Sequence, residues 1–172
     1  MARKIEVVAY RPEWEEMFTE EAEKIRKILG ENIIDIYHIG STSVKNLWAK
    51  PIIDIMPVVK DISSVDEHNK EFEQIGYECK GEFGISGRRF YMKGGDNRTH
   101  HIHIFEESNQ NEIQRHLAVR DYLRENPKKA EEYGLLKRKL AAEFTFDIDG
   151  YCDGKDAFVK NMEQQALEWK NE

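Results

Sequence analysis

Cysteines and long apolar runs are scarce in this sequence of 172 residues. Its two cysteines, Cys79 and Cys152, form no CxxC pair. This excludes a disulfide framework and a cysteine-rich zinc module, and it fits a reducing compartment. The longest apolar stretches, such as residues 52–59, are far too short to span a bilayer. The first residues also lack the apolar run of a signal peptide, so we expect a cytoplasmic protein that does not contact membranes.

An excess of basic residues is also absent, because 26 Lys and Arg face 33 Asp and Glu, giving a net charge of −7. Nucleic-acid-binding domains usually carry a net basic face, so this balance argues against nucleic acid as a partner. It leaves open a small site for one phosphorylated ligand. Residues 79–105 reverse the balance, with five basic side chains against two acidic ones. The basic residues of this segment are Lys80, Arg88, Arg89, Lys93 and Arg98.

The hydrophobic pattern predicts a single α/β (α+β) domain over residues 1–172. Its core, over about 1–107, is expected to be a mixed sheet flanked by helices. A helical extension is expected over about 108–172. The β-rich segments that predict strands are residues 5–10, 33–39, 52–59, 77–80, 88–93 and 100–105.

Helix start and stop signals divide the rest of the chain. Apolar periodicity predicts helices over residues 12–29 and 64–76, the second with Ser64 as its capping residue. In the extension, Asn126 predicts a helix cap ahead of a proline at the first helical position. Gly150 and Gly154 predict a loop before a last helix over about 155–170.

A turn rich in hydroxyl groups closes the second predicted strand. Backbone amides and hydroxyls in such a turn can hold phosphate oxygens. Asp54 follows as the one charge in the apolar run, where an unpaired carboxylate would cost several kcal/mol. We therefore expect Asp54 to serve a site, holding a cation against bound phosphate. In the alternative interpretation the turn residues only form the turn and cap a helix. They are Gly40, Ser41, Thr42 and Ser43.

Two histidines provide a second set of candidates. Strand alternation places His101 and His103 on one face of their predicted strand. With Asp54 they would form a set of two histidines and one carboxylate, which suits Zn, Mn or Fe better than Mg. The same three residues are the catalytic candidates. Alternatively, the histidines lie on a half-exposed strand and hydrogen-bond to their neighbours.

Five cationic residues are candidates for ligand binding. Lys50 precedes the Asp54 strand, and Arg88 and Arg89 open a strand beside the histidines. Arginine suits bidentate capture of phosphate. Helical periodicity places Arg120 and Lys137 on the apolar sides of their helices, where a charge must pair or reach a ligand. The alternatives are solvated positions for the first three and an ion pair of Arg120 with the adjacent aspartate.

These motifs resemble two nested groups of known proteins. The spacing from Gly-Ser to Asp54 resembles the signature of the polymerase-β-like nucleotidyltransferase superfamily. The longer block over residues 38–55 resembles the GrpB family of small bacterial proteins, and so do residues 101–103, 115–124 and 126–127. The resemblance implies a nucleotidyltransferase-like fold with a C-terminal helical extension. It also implies binding of a nucleotide or phosphorylated small molecule, with metal-dependent nucleotidyl transfer.

One residue departs from the superfamily pattern. Met56 stands where the superfamily places its second metal-binding carboxylate. Two-metal phosphoryl transfer needs carboxylates for both ions. The alternative function is therefore a catalytically degenerate module that binds ligand and supports another enzyme.

The resemblance also carries expectations about partners and cofactors. Related domains occur fused to dephospho-CoA kinase, which implies a kinase of the CoA pathway as a partner. The implied cofactor is a divalent metal, Mg²⁺ or Mn²⁺, with Zn²⁺ less favoured. A metal-dependent hydrolase built on Asp54, His101 and His103 is the third interpretation.

Overall fold

A computed structural model describes residues 4–171, which form two compact units. Residues 1–3 and 172 of the predicted domain lie outside the described residues. The single-domain organisation, with its boundary near residue 107, stays a prediction. The first unit contains the residues up to Pro12, Gly40–Pro51 and the residues from Gln114 onward, and the second contains Glu13–Ile39 and Ile52–Ile113.

A five-stranded mixed sheet organises the second unit, with strand order β1-β2-β5-β4-β3. Strands β2 and β5 are parallel, and the other neighbouring pairs are antiparallel. The predicted mixed sheet is thus confirmed. The strands are β1 (Ile33–Ile39), β2 (Ile53–Val59), β3 (Tyr77–Cys79), β4 (Arg88–Lys93) and β5 (His100–Glu106).

Strand β2 lies near the middle of the sheet and is buried on both faces. Ile53, Ile55, Met56 and Val59 are 0% exposed. A strand covered on both faces requires apolar residues at successive positions, which is why this segment is a continuous apolar run. A parallel partner cannot be reached by a short hairpin, so the chain forms other elements over residues 60–99 before β5 returns beside β2.

Helix α1 (Glu13–Leu29) covers one face of the sheet. It begins after Pro12, a residue suited to a helix start, and ends at Gly30, whose φ of 56° is left-handed. Its apolar side is buried at Trp14 and Ile25. The helix predicted over residues 12–29 is therefore confirmed.

The helix predicted over residues 64–76 forms in two parts. A 3-10 helix over Ser63–His68 precedes α2 (Asn69–Gln74). Ser64 does not cap either part, because its hydroxyl instead donates to Asp61 Oδ2 at 2.9 Å. The predicted cap at Ser64 is wrong, because a local hydrogen bond engages the serine side chain instead.

Glu21 links α1 to the edge of the sheet by hydrogen bonds. Its side chain accepts hydrogen bonds from Tyr77 Oη at 2.9 Å, Lys93 Nζ at 2.8 Å and Lys24 Nζ at 3.0 Å. Glu21 is only 4% exposed, and burial raises the pKa of its carboxyl. The three donors outweigh burial and lower that pKa to about 2. A buried carboxylate with this many donors holds the helix at β3 and β4.

Three helices dominate the first unit and confirm the predicted helical extension. No helix over residues 4–171 is long and apolar enough to cross a membrane. The core of this unit includes Leu47, Leu123, Tyr133 and Met162. The helices are α3 (Gln110–Glu125), of which residues 114–125 belong to this unit, α4 (Pro127–Glu143) and α5 (Ile148–Lys170).

Two local predictions in this unit are wrong. Residues 5–10 form no strand, because only Val8 makes a bridge, to Ala49. Gly150 and Gly154 lie inside α5 rather than in a loop. The amide of Gly150 bonds to the capping side chain of Asp147 at 3.0 Å, and a Cβ at Gly154 would lie 2.5 Å from Leu140 Cδ2. Close packing of α4 against α5 therefore outweighs the low helix propensity of glycine.

Asn126 occupies the predicted cap position, but its side chain does not make the hydrogen bond expected of a helix cap. Asn126 occupies the N-cap of α4 with Pro127 next to it, yet its side chain makes no cap hydrogen bond. Its Nδ2 instead donates to the carbonyl of Tyr122 at 2.8 Å, satisfying a free carbonyl at the end of α3.

We expect Glu21→Gln to lower the free energy of unfolding by about 3 kcal/mol at pH 7, because the variant loses a charged, buried hydrogen-bond acceptor. A pKa lowered in the folded state adds stability above the unfolded pKa of about 4.5, and this stability is lost as the pH falls toward about 2. Urea denaturation between pH 7 and pH 3 measures the difference, which should narrow below pH ~4.5. The exposed neighbour offers the control Glu20→Gln, and an equal loss there would contradict this account.

Candidate functional site

Asp54, His101 and His103 meet on one face of the sheet in the second unit. His103 Nε2 lies 3.0 Å from Asp54 Oδ1, and His101 Nδ1 lies 3.5 Å from the same oxygen. One ligand atom from each residue fits within 4.8 Å of the other two. All three side chains remain partly exposed, at 26%, 20% and 14% respectively. The group is therefore compact enough to hold one cation and open enough to be reached.

Strand register creates this group. Asp54 on β2 pairs with His101 on β5, and β5 alternation brings His103 to the same face. Phe90 on β4 pairs with His103 and lies against both imidazoles, with ring centroids 5.3 Å from His101 and 5.0 Å from His103. The strands thus fix the backbone positions, and the phenyl ring restricts how the imidazoles turn.

The electrostatics of Asp54 favour its charged form. Burial raises the pKa of the carboxyl, but hydrogen bonds from His101 and His103 outweigh that effect and hold the pKa well below its usual range. Asp54 is consequently a carboxylate at neutral pH. An ionised carboxylate beside two imidazoles is a donor set that borderline divalent cations accept.

Alternation separates the two neighbouring arginines. Arg88 lies on the same face as the histidines, is 7% exposed, and places Nη1 3.4 Å from His103 Nδ1. Arg89 points to the opposite face, where its Nε bonds to Asp66 Oδ1 at 2.7 Å. The structure brings Arg88, and not Arg89, to the Asp54 group.

Met56 shares the face of Asp54 and is fully buried. Its thioether provides no oxygen ligand to this face of the sheet, whereas hard divalent cations prefer oxygen ligands. Among residues 4–171, Asp54, His101 and His103 form the one group of three or more potential metal ligands. The donor set therefore fits one cation rather than two.

The hydroxyl-rich turn lies in the first unit and is a short 3-10 helix, Ser41–Ser43. Gly40 precedes it with φ 71°, a backbone conformation that favours glycine. Thr42 and Ser43 are buried, whereas Ser41 is partly exposed. Arg124 of α3 stabilises the turn by donating to the Ser43 carbonyl from both Nε and Nη2, at 3.1 and 2.9 Å.

Lys137 of α4 reaches the same turn. Its Nζ donates to Ser41 Oγ at 2.7 Å and lies 4.2 Å from the centroid of the Tyr133 ring. Lys137 is 2% exposed, and no carboxylate of the described residues lies within salt-bridge distance of it. Burial and two nearby cations, Lys155 and Lys50, lower the pKa of Lys137 well below its ordinary value. The charged form of a buried lysine is costly when no carboxylate accompanies it, and this cost is what lowers the pKa.

Two further lysines and a tyrosine extend this cationic cluster within the first unit. The Nζ atoms of Lys50 and Lys155 each lie 5.1 Å from the centroid of the Tyr151 ring. Tyr151 is fully buried, and its hydroxyl finds no hydrogen-bond partner among the described residues. A buried hydroxyl normally has a partner, so this oxygen retains an unused donor.

Arg120 of α3 makes a local ion pair. Its guanidinium bonds to Asp121 Oδ1 at 2.9 Å, and Asp121 Oδ2 also lies 3.8 Å from Lys170. Among the candidate cations, Lys50 and Lys137 are therefore gathered around the turn, whereas Arg120 is engaged with its neighbour.

Sequence reasoning missed several residues around both groups. Phe90 was not singled out, although its register opposite His103 follows from strand alternation. Arg124, Tyr151 and Lys155 lie on helices whose packing the sequence pattern does not specify. A signal was present for Arg124, because it belongs to the basic helical block over residues 115–124.

The mixed sheet, with its aspartate on the strand that follows a Gly-Ser turn, is a nucleotidyltransferase-like fold. The solved structure of Cid1 in complex with its short product ApU superposes with a TM-score of 0.53. The likeness covers 75% of this chain and 41% of that one, and at 12% sequence identity it shows the fold alone.

The chain belongs to the GrpB family, whose model, described as GrpB protein, matches residues 4–165. The crystal structure of the conserved protein GrpB from Enterococcus faecalis has a TM-score of 0.95 and 53% identity, covering 97% of this chain and all of that one. UPF0157 protein YqkA of Bacillus subtilis is 46% identical over 168 residues, which are 98% of this chain. Those residues are 49% of YqkA, so the chain spans about half the length of that relative.

A dephospho-CoA kinase of Mycobacterium leprae is also similar, at 24% identity over 174 residues. The match covers 85% of this chain and 42% of the kinase. Regions like this chain therefore occur within longer proteins.

We expect Lys137→Met to raise the free energy of unfolding by on the order of 1–4 kcal/mol at pH 7, because it removes a buried cation. When folding lowers the pKa of a lysine, the folded state is destabilised at pH values below the unfolded pKa of 10.5. This penalty fades as the pH rises toward 10.5. The excess stability of the variant should therefore shrink between pH 7 and pH 10.5 in urea denaturation. Lys139→Met, on the exposed side of α4, is the control; destabilisation by Lys137→Met would contradict this view.

Proposed function

We propose that this protein binds a nucleotide or another phosphorylated small molecule. The observation that carries the proposal is Lys137, a buried ammonium bonded to Ser41 and accompanied by two further lysines rather than a carboxylate. A phosphate group would supply the missing negative charge and accept hydrogen bonds from Ser41 Oγ and Tyr151 Oη. The net negative charge of the chain disfavours the binding of extended polyanions such as nucleic acids.

The group of Asp54, His101 and His103 is the proposed cation site. The short separations of its donor atoms and the low pKa of Asp54 support it. Mn²⁺ accepts both imidazole and carboxylate ligands and is the cation we favour for the tests, with Mg²⁺ and Zn²⁺ as comparisons. When bound, such a cation neutralises charge on phosphoryl oxygens.

Nucleotidyl transfer is the proposed reaction. An acceptor hydroxyl would attack the α-phosphorus of a nucleoside triphosphate, the bond to the bridging oxygen would break, and pyrophosphate would leave with the acceptor's proton passing to water. The fold and the arrangement of a Gly-Ser turn before the Asp54 strand support this reaction class. In the first unit the proposed role of the turn is phosphate binding, and in the second unit the proposed role of Asp54 is cation binding.

A second candidate is a binding module without catalysis, and buried Met56 favours it. A site with one carboxylate in place of two is poorly suited to the two-metal chemistry of phosphoryl transfer. The similarity to part of a dephospho-CoA kinase makes a kinase of the CoA pathway the proposed partner in this case. Dephospho-CoA then joins the nucleotides as a ligand to be tested.

Cation binding is tested by isothermal titration calorimetry with MnCl₂. We expect one bound Mn²⁺ per chain, weakened by at least tenfold in Asp54→Asn and His103→Asn because each removes a ligand. The matched control is His100→Asn, since His100 lies on the same strand but on its opposite face. Equal affinity in all four proteins would refute the site.

Ligand binding and turnover are tested in one series. Wild-type protein is titrated with UTP, ATP and dephospho-CoA, and then incubated with radiolabelled UTP, Mn²⁺, and either an oligouridylate or dephospho-CoA as acceptor. We expect Lys137→Met to weaken nucleotide binding by about tenfold or more, and Lys139→Met to leave it unchanged. Transfer of the label by the wild-type protein but not by Asp54→Asn supports nucleotidyl transfer as the reaction.

The outcomes separate the two candidates. Binding of these ligands without label transfer supports the accessory module. Failure of the wild-type protein to bind any of the three ligands would overturn both forms of the proposal.

A further inference from the structure

The loop between β3 and β4 exposes an aromatic ring in the second unit. Phe83 lies in this loop, which spans residues 80–87, and is 55% exposed. Its φ of 49° is left-handed, a conformation that bulky residues rarely adopt. Gly81, Gly84 and Gly87 also have left-handed φ values, of 62°, 90° and 80°. The glycines let the loop turn sharply. Neither burial of the side chain nor a favoured backbone conformation accounts for a phenylalanine at position 83.

The exposed ring is connected to the Asp54 group through one aromatic side chain, Phe90. Phe83 stacks on Phe90 with ring centroids 5.2 Å apart and an interplanar angle of 6°. Phe90 is 5% exposed and contacts the imidazole rings of His101 and His103. One face of Phe83 therefore rests on a ring that itself touches the proposed cation ligands.

Arg88 holds the loop in this conformation. Its Nη2 donates to the carbonyl of Phe83 at 2.8 Å, and its Nε donates to the carbonyl of Glu82 at 3.1 Å. The guanidinium also lies 4.6 Å from the centroid of the Phe90 ring. Glu82 closes the loop by accepting a hydrogen bond from the amide of Gly87 at 2.6 Å. The aromatic ring is thus fixed in place rather than free to withdraw from solvent.

We propose that Phe83 is a stacking platform for a planar aromatic ring, and that the phosphorylated ligand of this protein is therefore a nucleotide rather than a sugar phosphate or an inorganic polyphosphate. The inference rests on the proposed function, because it takes the ligand to carry a phosphate group that a cation at Asp54 would bind. A base stacked on Phe83 would continue the parallel arrangement of Phe83 and Phe90, whose ring contacts two of the proposed cation ligands. Since every base has a π-face, this platform recognises the presence of a base and not its identity.

The test compares ATP with inorganic tripolyphosphate, in the presence of Mn²⁺, by isothermal titration calorimetry. Tripolyphosphate carries the anionic groups without a base, so the ratio of the two affinities isolates the contribution of the ring. We expect Phe83→Leu to weaken ATP binding by about tenfold and to leave tripolyphosphate binding unchanged. Phe83→Trp, which keeps an aromatic ring, should preserve the preference for ATP.

Phe146→Leu is the matched control, because Phe146 is a phenylalanine of similar exposure, 62%, outside the loop. Its affinities should equal those of the wild-type protein. Melting temperatures of all variants report folding, and Phe83→Leu should melt close to the wild type, since leucine keeps an apolar side chain beside Phe90 and 55% of the replaced ring is exposed.

The outcomes distinguish the two levels of inference. If the wild-type protein binds tripolyphosphate as tightly as ATP, and Phe83→Leu changes neither, the platform is refuted while phosphate binding stands. If Phe83→Leu instead lowers the affinities for ATP and tripolyphosphate equally, Phe83 maintains the loop and is not a platform. That result also overturns the inference. If the wild-type protein binds neither ligand, the proposed function itself fails.

Discussion

The parallel pairing of β2 with β5 is the contact on which the rest of the second unit depends. It sets Asp54 opposite His101, and it leaves β4 to pair on the other side of β5 with Phe90 opposite His103. A shift by one residue would turn each of these side chains to the opposite face. The buried apolar residues of β2 oppose such a shift, so the core of the sheet also determines the geometry of its polar group.

Two buried ionisable side chains, Glu21 and Lys137, have contrasting surroundings. Glu21 is surrounded by donors, and its low pKa makes it part of what stabilises the fold. Lys137 has a hydroxyl and an aromatic ring but no counter-ion, and its lowered pKa records an environment that disfavours its charge. Both are buried ionisable groups, yet the first has its partners within the chain, whereas the second has the surroundings for which we propose a bound anion. The difference is what separates a structural ion pair from a candidate binding site.

The sequence allowed accurate prediction where a pattern is local. The continuous apolar run identified β2, alternation placed His101 and His103 together, and periodicity placed Lys137 on the buried side of its helix. It could not identify Ser41 as the partner of Lys137, because that hydrogen bond joins residues 96 positions apart. Gly154 was assigned to a loop because its value in the helix comes from contact with Leu140, which only tertiary packing reveals. Phe83 was overlooked because a glycine-rich turn carries no periodic signal.

The route of the chain between β2 and β5 also has a kinetic consequence. Asp54 and its two histidines are far apart in sequence, so bringing them together requires closing the long loop between β2 and β5, and such non-local contacts slow folding. The unfolded chain therefore has no preformed cluster for a divalent ion, so ion binding would be coupled to folding. A bound ion would stabilise the folded sheet, because the unfolded chain offers it no matching site.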